Sequence, residues 1–326
     1  VTVTNTNDAP TVTSALSDAS TAEDGSYSLD ASSMCTDVDV GDALAYTMSG
    51  APSTLSIASG TISGTPLNAD VGAHTITVTC TDDSSAAATA SDSYVLTVTN
   101  TNDAPTVTSA LSDASTAEDG SYSLDASSMC TDVDVGDSLA YTMSGAPSTL
   151  SIASGTISGT PLNADVGTHT ITVTCTDDSS AAATASDSYV LTVTNTNDAP
   201  TLATAQADAS TAEDALYTLD VSGNFADVDV GDSLSYTATG MPSTMTMSTA
   251  GVLSGTPVNA DVAAHTVVVT ATDGTASVTD TFDVTVTNTN DAPTVASAIS
   301  DVSSAEDAAY SLDVSGTCTD VDVGDS

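Results

Sequence analysis

Residues 74–82 read HTITVTCTD. In an extended chain Ile76, Val78 and Cys80 fall on one face and Thr75, Thr77 and Thr79 on the other, the period of a half-buried strand. Residues 94–100, YVLTVTN, repeat the pattern with Tyr94, Leu96 and Val98. Upstream, SYSLD groups Tyr27 with Leu29, and ALAYTM groups Leu44, Tyr46 and Met48. Turn chemistry separates these runs at Gly41-Asp42, Ala51-Pro52, Gly64-Thr65-Pro66 and Asp82-Asp83. Helical periodicity is missing throughout. The reading is seven short strands, A at about 11–20, B at 26–33, C at 43–49, D at 53–57, E at 60–63, F at 73–81 and G at 91–99. Seven strands of this kind make an immunoglobulin-like β-sandwich.

The hexapeptide NTNDAP sets the larger organisation. It starts at Asn5, Asn100, Asn195 and Asn288, with spacings of 95, 95 and 93 residues. A fixed period this long marks copies of a whole domain. Residues 5–99 and 100–194 differ at two positions, Ala43 against Ser138 and Ala73 against Thr168. Residues 195–287 have drifted but keep the landmarks, and residues 288–326 begin a further copy. Residues 1–4, VTVT, match 284–287 and read as the last strand of a preceding copy. The expectation is a window cut from a longer repeat protein, with copies joined by short acidic linkers.

Composition narrows the partners. The 326 residues carry 44 acidic groups and no Lys or Arg, a formal charge of −44. Nucleic acid and anionic membrane surfaces are excluded as partners because their phosphates need cations. Such charge strains a compact fold by self-repulsion, so positive charge has to come from outside, and divalent cations fit that need. Hydrophobic residues make up 40% and alternate with polar ones, which argues against disorder. With no Trp and two Phe, the core falls to Val, Ile, Leu, Ala and Tyr. No run of 18 apolar residues suggests membrane insertion, and no signal peptide is visible in this window.

If the strands run up and down the sandwich, the AB and EF loops face the following copy, and the BC loop with the end of F faces the preceding one. The joint around Asn100 then gathers Glu23, Asp70, Asn100, Asn102, Asp103, Asp132, Asp134, Asp137 and Asp177. The joint around Asn195 gathers Glu118, Asp165, Asn195, Asn197, Asp198, Asp227, Asp229, Asp232 and Asp273. The joint around Asn288 gathers Glu213, Asp261, Asn288, Asn290, Asp291, Asp320, Asp322 and Asp325. Asn5, Asn7, Asp8, Asp37, Asp39, Asp42 and Asp82 form the corresponding half-site at the start. Hard oxygen ligands in this number, without His or Cys, select Ca²⁺ over zinc or iron, and Mg²⁺ prefers fewer carboxylates. In DVDVGD the alternation lets two carboxylates reach one ion while glycine permits the turn. Solvated acidic loops are the alternative; repetition of the whole constellation in every copy favours calcium.

The chain resembles the cadherin-like repeats, especially the dystroglycan-type cadherin-like and immunoglobulin-type domains of giant bacterial adhesins. The resemblance rests on AED at Glu23, DVDVGD at Asp37, Asp39 and Asp42, SGTPLNADVG at Asp70, TVTCTDD at Asp82, and TNTNDAP. LNAD, residues 67–70, stands where that family has LDRE, so the arginine is absent and Asp replaces Glu. The linker lacks the family's first Asp and has Asn100 or Thr101 near that place. Both departures reduce ligand charge. The resemblance implies an all-β array of tandem seven-stranded immunoglobulin/cadherin-like sandwiches, elongated, with calcium stiffening each joint.

Cys35 and Cys80, and Cys130 and Cys175, are each 45 residues apart, and the third copy has Phe225 and Ala271 at the matching places. Loss of both cysteines together, for one large and one small apolar residue, is the behaviour of buried side chains in contact. The expectation is two disulfides between strands B and F, with Cys318 pairing outside the window; buried free thiols are the alternative. Disulfides imply an oxidising, extracytoplasmic setting. His74, His169 and His265 share one place at the start of strand F and read as edge residues. The Ser, His and Asp content lacks a nucleophile elbow or an oxyanion site, so no enzyme activity is expected.

Two functions follow as expectations. The first is a calcium-rigidified extracellular stalk of a surface adhesin or filament, whose partners are neighbouring copies and, in one variant, other chains in a self-assembled fibre. The second is an adhesive module that binds a glycan or partner protein through exposed aromatic or apolar patches. Aromatics at 3% favour the first.

Overall fold

The alternation read from residues 74–82 is realised as the longest ladder of the first repeat. The computed structural model describes residues 1–179 and 181–322. The chain divides into two compact units. The first holds Val1–Ser115, Ser121–Thr160 and Thr168–Thr192; the second holds Thr116–Gly120, Pro161–Gly167 and Val193–Ser326. The linker at Asn100 lies in the first, those at Asn195 and Asn288 in the second.

In the first repeat, which lies in the first unit, the strands are β1 (Thr11–Val12), β2 (Ala19–Ala22), β3 (Tyr27–Asp30), β4 (Cys35–Thr36), β5 (Ala45–Ser49), β6 (Leu55–Ala58), β7 (Thr61–Gly64), β8 (Gly72–Thr81) and β9 (Thr89–Thr99). Four strands form one sheet in the order β2-β9-β8-β5, and three form the other in the order β3-β7-β6. β8 and β9 pair antiparallel from Gly72↔Val98 to Thr81↔Thr89. β2 pairs parallel with β9, Ala19↔Leu96 to Ala22↔Thr99. The sequence reading made residues 11–20 one strand A; the structure splits it. β1 pairs with β4 as a separate two-stranded sheet, β2 joins β9, and the chain between them crosses from that pair to the four-stranded sheet. Two carboxylates hold the crossing: the Leu16 amide donates to Asp92 Oδ2 at 2.6 Å, and the Val95 amide donates to Asp18 Oδ1 at 2.8 Å. Strand B, read as 26–33, is realised as the shorter β3, and Cys35 falls just beyond it on the separate strand β4.

Ile62, Ile76, Val78, Cys80 and Leu96 are fully enclosed between the sheets. Each such aliphatic side chain contributes roughly 1.5–3 kcal/mol. The disulfide Cys35–Cys80 ties β4 to β8 with Cα atoms 6.6 Å apart, and Cys130–Cys175 repeats it. Cys318 is free and exposed, so the expected partner is not met among the described residues.

In the second unit the third repeat has the same plan. Ala209–Ala212 pairs parallel with Ser277–Thr287, which pairs with Ala264–Thr272, which pairs with Ser235–Thr239. Phe225 and Ala271 occupy the cysteine places, both buried, and the Phe225 ring meets Tyr236 edge-on at 5.7 Å. Among the described residues there is no α-helix, and none is long and apolar enough to cross a membrane.

Candidate metal centre

Each acidic site is built from three local structures. The first is the turn after β2. Glu23 donates its amide to Thr99 O at 3.0 Å, and Asp24, with φ +54°, donates to Pro66 O at 2.8 Å. Aspartate tolerates the left-handed conformation better than most residues. This turn pins Glu23 to the end of β9, where only 2% of it is exposed. The second is the loop DVDVGD. The Asp39 amide donates to Asp37 Oδ1 at 2.9 Å, and Gly41 takes φ +110°, a region closed to residues with a Cβ. The chain therefore doubles back and brings Asp37, Asp42 and Asp82 together, with ligand oxygens within 4.8 Å of one another. Val38 and Val40 alternate outward into solvent. The third is the linker itself.

In the first unit the linker sews the two copies together. The Thr101 amide donates to Glu23 Oε1 at 2.7 Å, and the Asp103 amide donates to Asp134 Oδ2 at 2.8 Å. Asn102 Nδ2 donates to Asp177 Oδ2 at 3.1 Å, and the Asp134 amide donates to Asp132 Oδ1 at 3.0 Å. Asp132, Asp137 and Asp177 form a second cluster of the 4.8 Å kind. Asn100 turns its side-chain oxygen toward acceptors only; reversing the amide would set its nitrogen 3.1 Å from Glu23 Oε1 and 3.2 Å from Asp134 Oδ1. Glu23 Oε2, Asp132 Oδ2 and Asp137 Oδ2 are buried without a hydrogen-bond partner.

In the second unit the linker at Asn195 repeats this. The Thr196 amide meets Glu118 Oε1 at 2.8 Å, the Asp198 amide meets Asp229 Oδ2 at 2.8 Å, and Asn197 Nδ2 meets Asp273 Oδ2 at 3.1 Å. Asp227, Asp232 and Asp273 cluster, and Glu118 Oε2, Asp227 Oδ2 and Asp229 Oδ1 are buried without a partner. At Asn288 the Thr289 amide meets Glu213 Oε1 at 2.8 Å, the Asp291 amide meets Asp322 Oδ2 at 2.7 Å, and the Asp322 amide meets Asp320 Oδ1 at 3.0 Å. Asn290 donates to Asp291 O within its own linker, and Asp325 lies outside the described residues. At the start, the Asp8 amide donates to Asp39 Oδ2 at 2.7 Å and Asn7 Nδ2 to Asp82 Oδ2 at 3.0 Å. Asn5 and Asn195 are exposed.

The clusters split their titration. Burial, then the charges of Asp178, Asp134, Asp132 and Asp177, push the Asp137 carboxyl up. Hydrogen bonds from the Ser179 hydroxyl and the Asn102 amide hold Asp177 down. Asp42 and Asp82 show the same opposition. In both clusters one carboxyl is thus held down while its neighbour is pushed up.

The family model described as "Putative Ig domain" matches residues 9–99, 104–194 and 199–287. The chain belongs to that family. No curated protein sequence matches it at a significant level. Among solved structures, the Ig-type repeats are similar to mouse cadherin-23 EC22-24, at 18% identity over 87% of this chain and 100% of that one, with a TM-score of 0.56. Protocadherin gammaB7 EC3-6 is similar at 18% identity over 88% of this chain and 76% of that one, with a TM-score of 0.55. These likenesses show the fold, tandem cadherin- and Ig-like sandwiches.

One expectation about these Ig-type repeats needs correction. Asp70, Asp165 and Asp261 lie on the 3-10 turns Asn68–Asp70, Asn163–Asp165 and Asn259–Asp261. Their carboxylates cap their own turn rather than face the linker. Asp70 Oδ2 accepts the Thr54 hydroxyl at 2.6 Å and the Leu67 amide at 3.1 Å. Asp165 Oδ2 accepts the Leu162 amide at 3.0 Å. Asp261 accepts four hydrogen bonds, from Ser243 twice, Thr244 and Val258. The residue that reaches the linker is two places earlier. Asn68 Nδ2 donates to Asp103 Oδ2 at 2.6 Å, Asn163 to Asp198 at 2.6 Å and Asn259 to Asp291 at 2.8 Å. All three leave a buried Oδ1 without a partner. The signal was present in NAD: a tight turn sends its first and third side chains in different directions, and the third caps the preceding amide. His74 Nε2 contacts Asp70 O at 2.6 Å and so braces this turn, as His265 does at Asp261 O.

Burial pushes the Asp261 carboxyl up, but the hydrogen bonds from Ser243, Thr244 and Val258 outweigh it and hold the group at about 2, below the ordinary 3.8. A depressed carboxyl stabilises the fold above its unfolded value and loses that contribution as pH falls through its folded one. The third repeat therefore weakens progressively from pH 3.8 down to about 2. Asp261→Asn should remove most of this acid slope and lower stability at neutral pH, measured by thermal melts across that range. An unchanged slope would show that other carboxylates carry it.

Proposed function

We propose that the chain is a calcium-rigidified structural repeat of the extracellular part of a large surface protein, the stalk of an adhesin or a filament. The observation that carries this reading is the set of buried oxygens without partners at every linker. Glu23 Oε2, Asn68 Oδ1, Asp132 Oδ2 and Asp137 Oδ2 are of this kind at Asn100. A buried acceptor left unpaired costs about 1–3 kcal/mol, and more when charged. The chain has no Lys or Arg to neutralise them. A hard divalent cation removes the penalty and the mutual repulsion together, and the donor set of carboxylate, amide and carbonyl oxygens suits Ca²⁺. It would be held at the first linker by Glu23, Asn68, Asn100, Asp132, Asp134, Asp137 and Asp177.

The mechanism is mechanical. Calcium binds oxygens of two successive copies and their connector, which limits bending there. The two disulfides support an oxidising, extracellular location. We assign no catalysis to the chain; its partners are adjoining copies of the same repeat.

Small-angle scattering of the full chain tests this. Calcium should increase the radius of gyration and chelation should reverse it. Asp134→Ala removes an acceptor of the linker amide and of the cation, so it should lose about one linker's share of the response while each repeat still melts cooperatively. A variant whose calcium response equals the parent's would refute the ligand assignment at Asn100.

A further inference from the structure

The linkers at Asn100 and Asn195 offer the same ligands but not the same support behind them. At Asn100 the disulfide Cys130–Cys175 holds its two Cα atoms 6.6 Å apart. It joins the strands Cys130–Thr131 and Gly167–Thr176 close to where both end. The residues that come next are Asp132 and Asp177, two of the three carboxylates of the cluster. Each therefore leaves the sandwich from a strand end covalently tied to the other.

At Asn195 the ligand types are unchanged: Glu118 for Glu23, Asn163 for Asn68, Asn195 for Asn100, and Asp227, Asp229, Asp232 and Asp273 for the four aspartates. The tie is gone. Phe225 and Ala271 stand two residues before Asp227 and Asp273 and are held by packing alone, with the Phe225 ring against Tyr236. The covalent path between these two aspartates is then the whole intervening chain, 273 − 227 = 46 residues. The cluster is also more open. Asp177 is buried and Asp137 half-buried, whereas Asp273 is half-buried and Asp232 exposed.

We infer that Cys130 and Cys175 are positioning residues of the metal centre: their bond holds Asp132 and Asp177 together before the ion arrives, so the linker at Asn100 takes calcium more tightly than the linker at Asn195. This rests on the calcium reading of the linkers. Calcium affinity at oxygen sites is set by ligand charge and by site rigidity. The charge is matched, because both linkers offer one Glu, four Asp and two Asn. Rigidity is not matched, and a site already in its bound arrangement loses less freedom on binding. As calcium rises, Asn100 should fill before Asn195. One other difference acts in the same direction: Asp178, whose charge reaches Asp137, has become Gly274. Exchanging only the side chains behind the clusters separates the two causes.

Calcium is titrated by isothermal calorimetry into the calcium-free full chain carrying Cys318→Ser. The parent should show a tight and a weak class of ions. Cys130→Phe with Cys175→Ala should move one linker's share from the tight class to the weak one, a loss of about tenfold in affinity. Phe225→Cys with Ala271→Cys, oxidised, should move one linker's share the other way, and such a gain cannot come from a damaged repeat. A bond that only strengthens the sandwich would raise the third repeat's melting temperature and leave the isotherm unchanged. A single class of ions in the parent, isotherms of both variants that coincide with it, or introduced cysteines that stay reduced would each overturn the inference and leave the linkers as calcium sites. A chain that takes up no calcium would overturn the reading of the linkers themselves, and this inference with it.

Discussion

The full chain gains more than about 15 °C in melting temperature when calcium is supplied at roughly a thousand times its dissociation constant, and loses it on chelation. One ion bound only by the folded state contributes about 4 kcal/mol at that excess, and 1 kcal/mol moves the melting point of a domain this size by about 4–8 °C. The gain has a second source in the apo chain. With 44 acidic groups and no basic residue, every linker pays for its own repulsion until cations arrive. Raising monovalent salt should therefore recover part of the loss under chelation, and less of it when calcium is present, since exposed charge is screened more than buried charge. Differential scanning calorimetry with and without chelator measures both. A melting temperature indifferent to chelation would refute calcium as the stabilising ion.

Reduction of the two disulfides should destabilise the first two repeats by about 4 kcal/mol each and leave the third unmoved. A closed loop of this length removes about that much from the unfolded ensemble in the chain-entropy model. The third repeat is an internal control, because Phe225 and Ala271 occupy the same places and reduction cannot touch them. Hydrogen exchange followed by mass spectrometry, with and without reductant, separates the first two repeats, read together because residues 74–99 and 169–194 are identical, from the third. Protection should drop around Cys80 and Cys175 and hold around Ala271. Equal loss in all three repeats would refute the assignment. The paired variant Cys35→Phe with Cys80→Ala imports the third repeat's solution and should recover part of the lost stability, since Phe225 and Ala271 are both buried in their core.

Much of this was legible before any coordinates. The alternation in residues 74–82 and 94–99 marks both long strands because one face of each is sealed in the core. The paired loss of Cys35 and Cys80 in the third copy announced a contact, and the disulfides are there. Strand A was less readable: its break depends on the distant carboxylate of Asp92, which no local pattern exposes. Asp70 was misplaced for a related reason. Motif spacing identified the turn but not the direction of its side chains, and the Thr54 hydroxyl that draws Asp70 inward lies 16 residues away. Asn68 was passed over because an amide carries less obvious ligand character than the acid beside it.

The pairing of β2 with β9 decides how a repeat responds to tension. These are the first long-sheet strand and the last strand of the copy, and they run in the same direction, Ala19↔Leu96 through Ala22↔Thr99. A pull on the two ends of the repeat drags one strand along the other, so the rungs share the load side by side. Strands pulled apart from one end would instead yield rung by rung, like a zip. The same arrangement recurs in the third copy, Ala209↔Val284 through Ala212↔Thr287. Each such copy should resist stretching through backbone geometry alone.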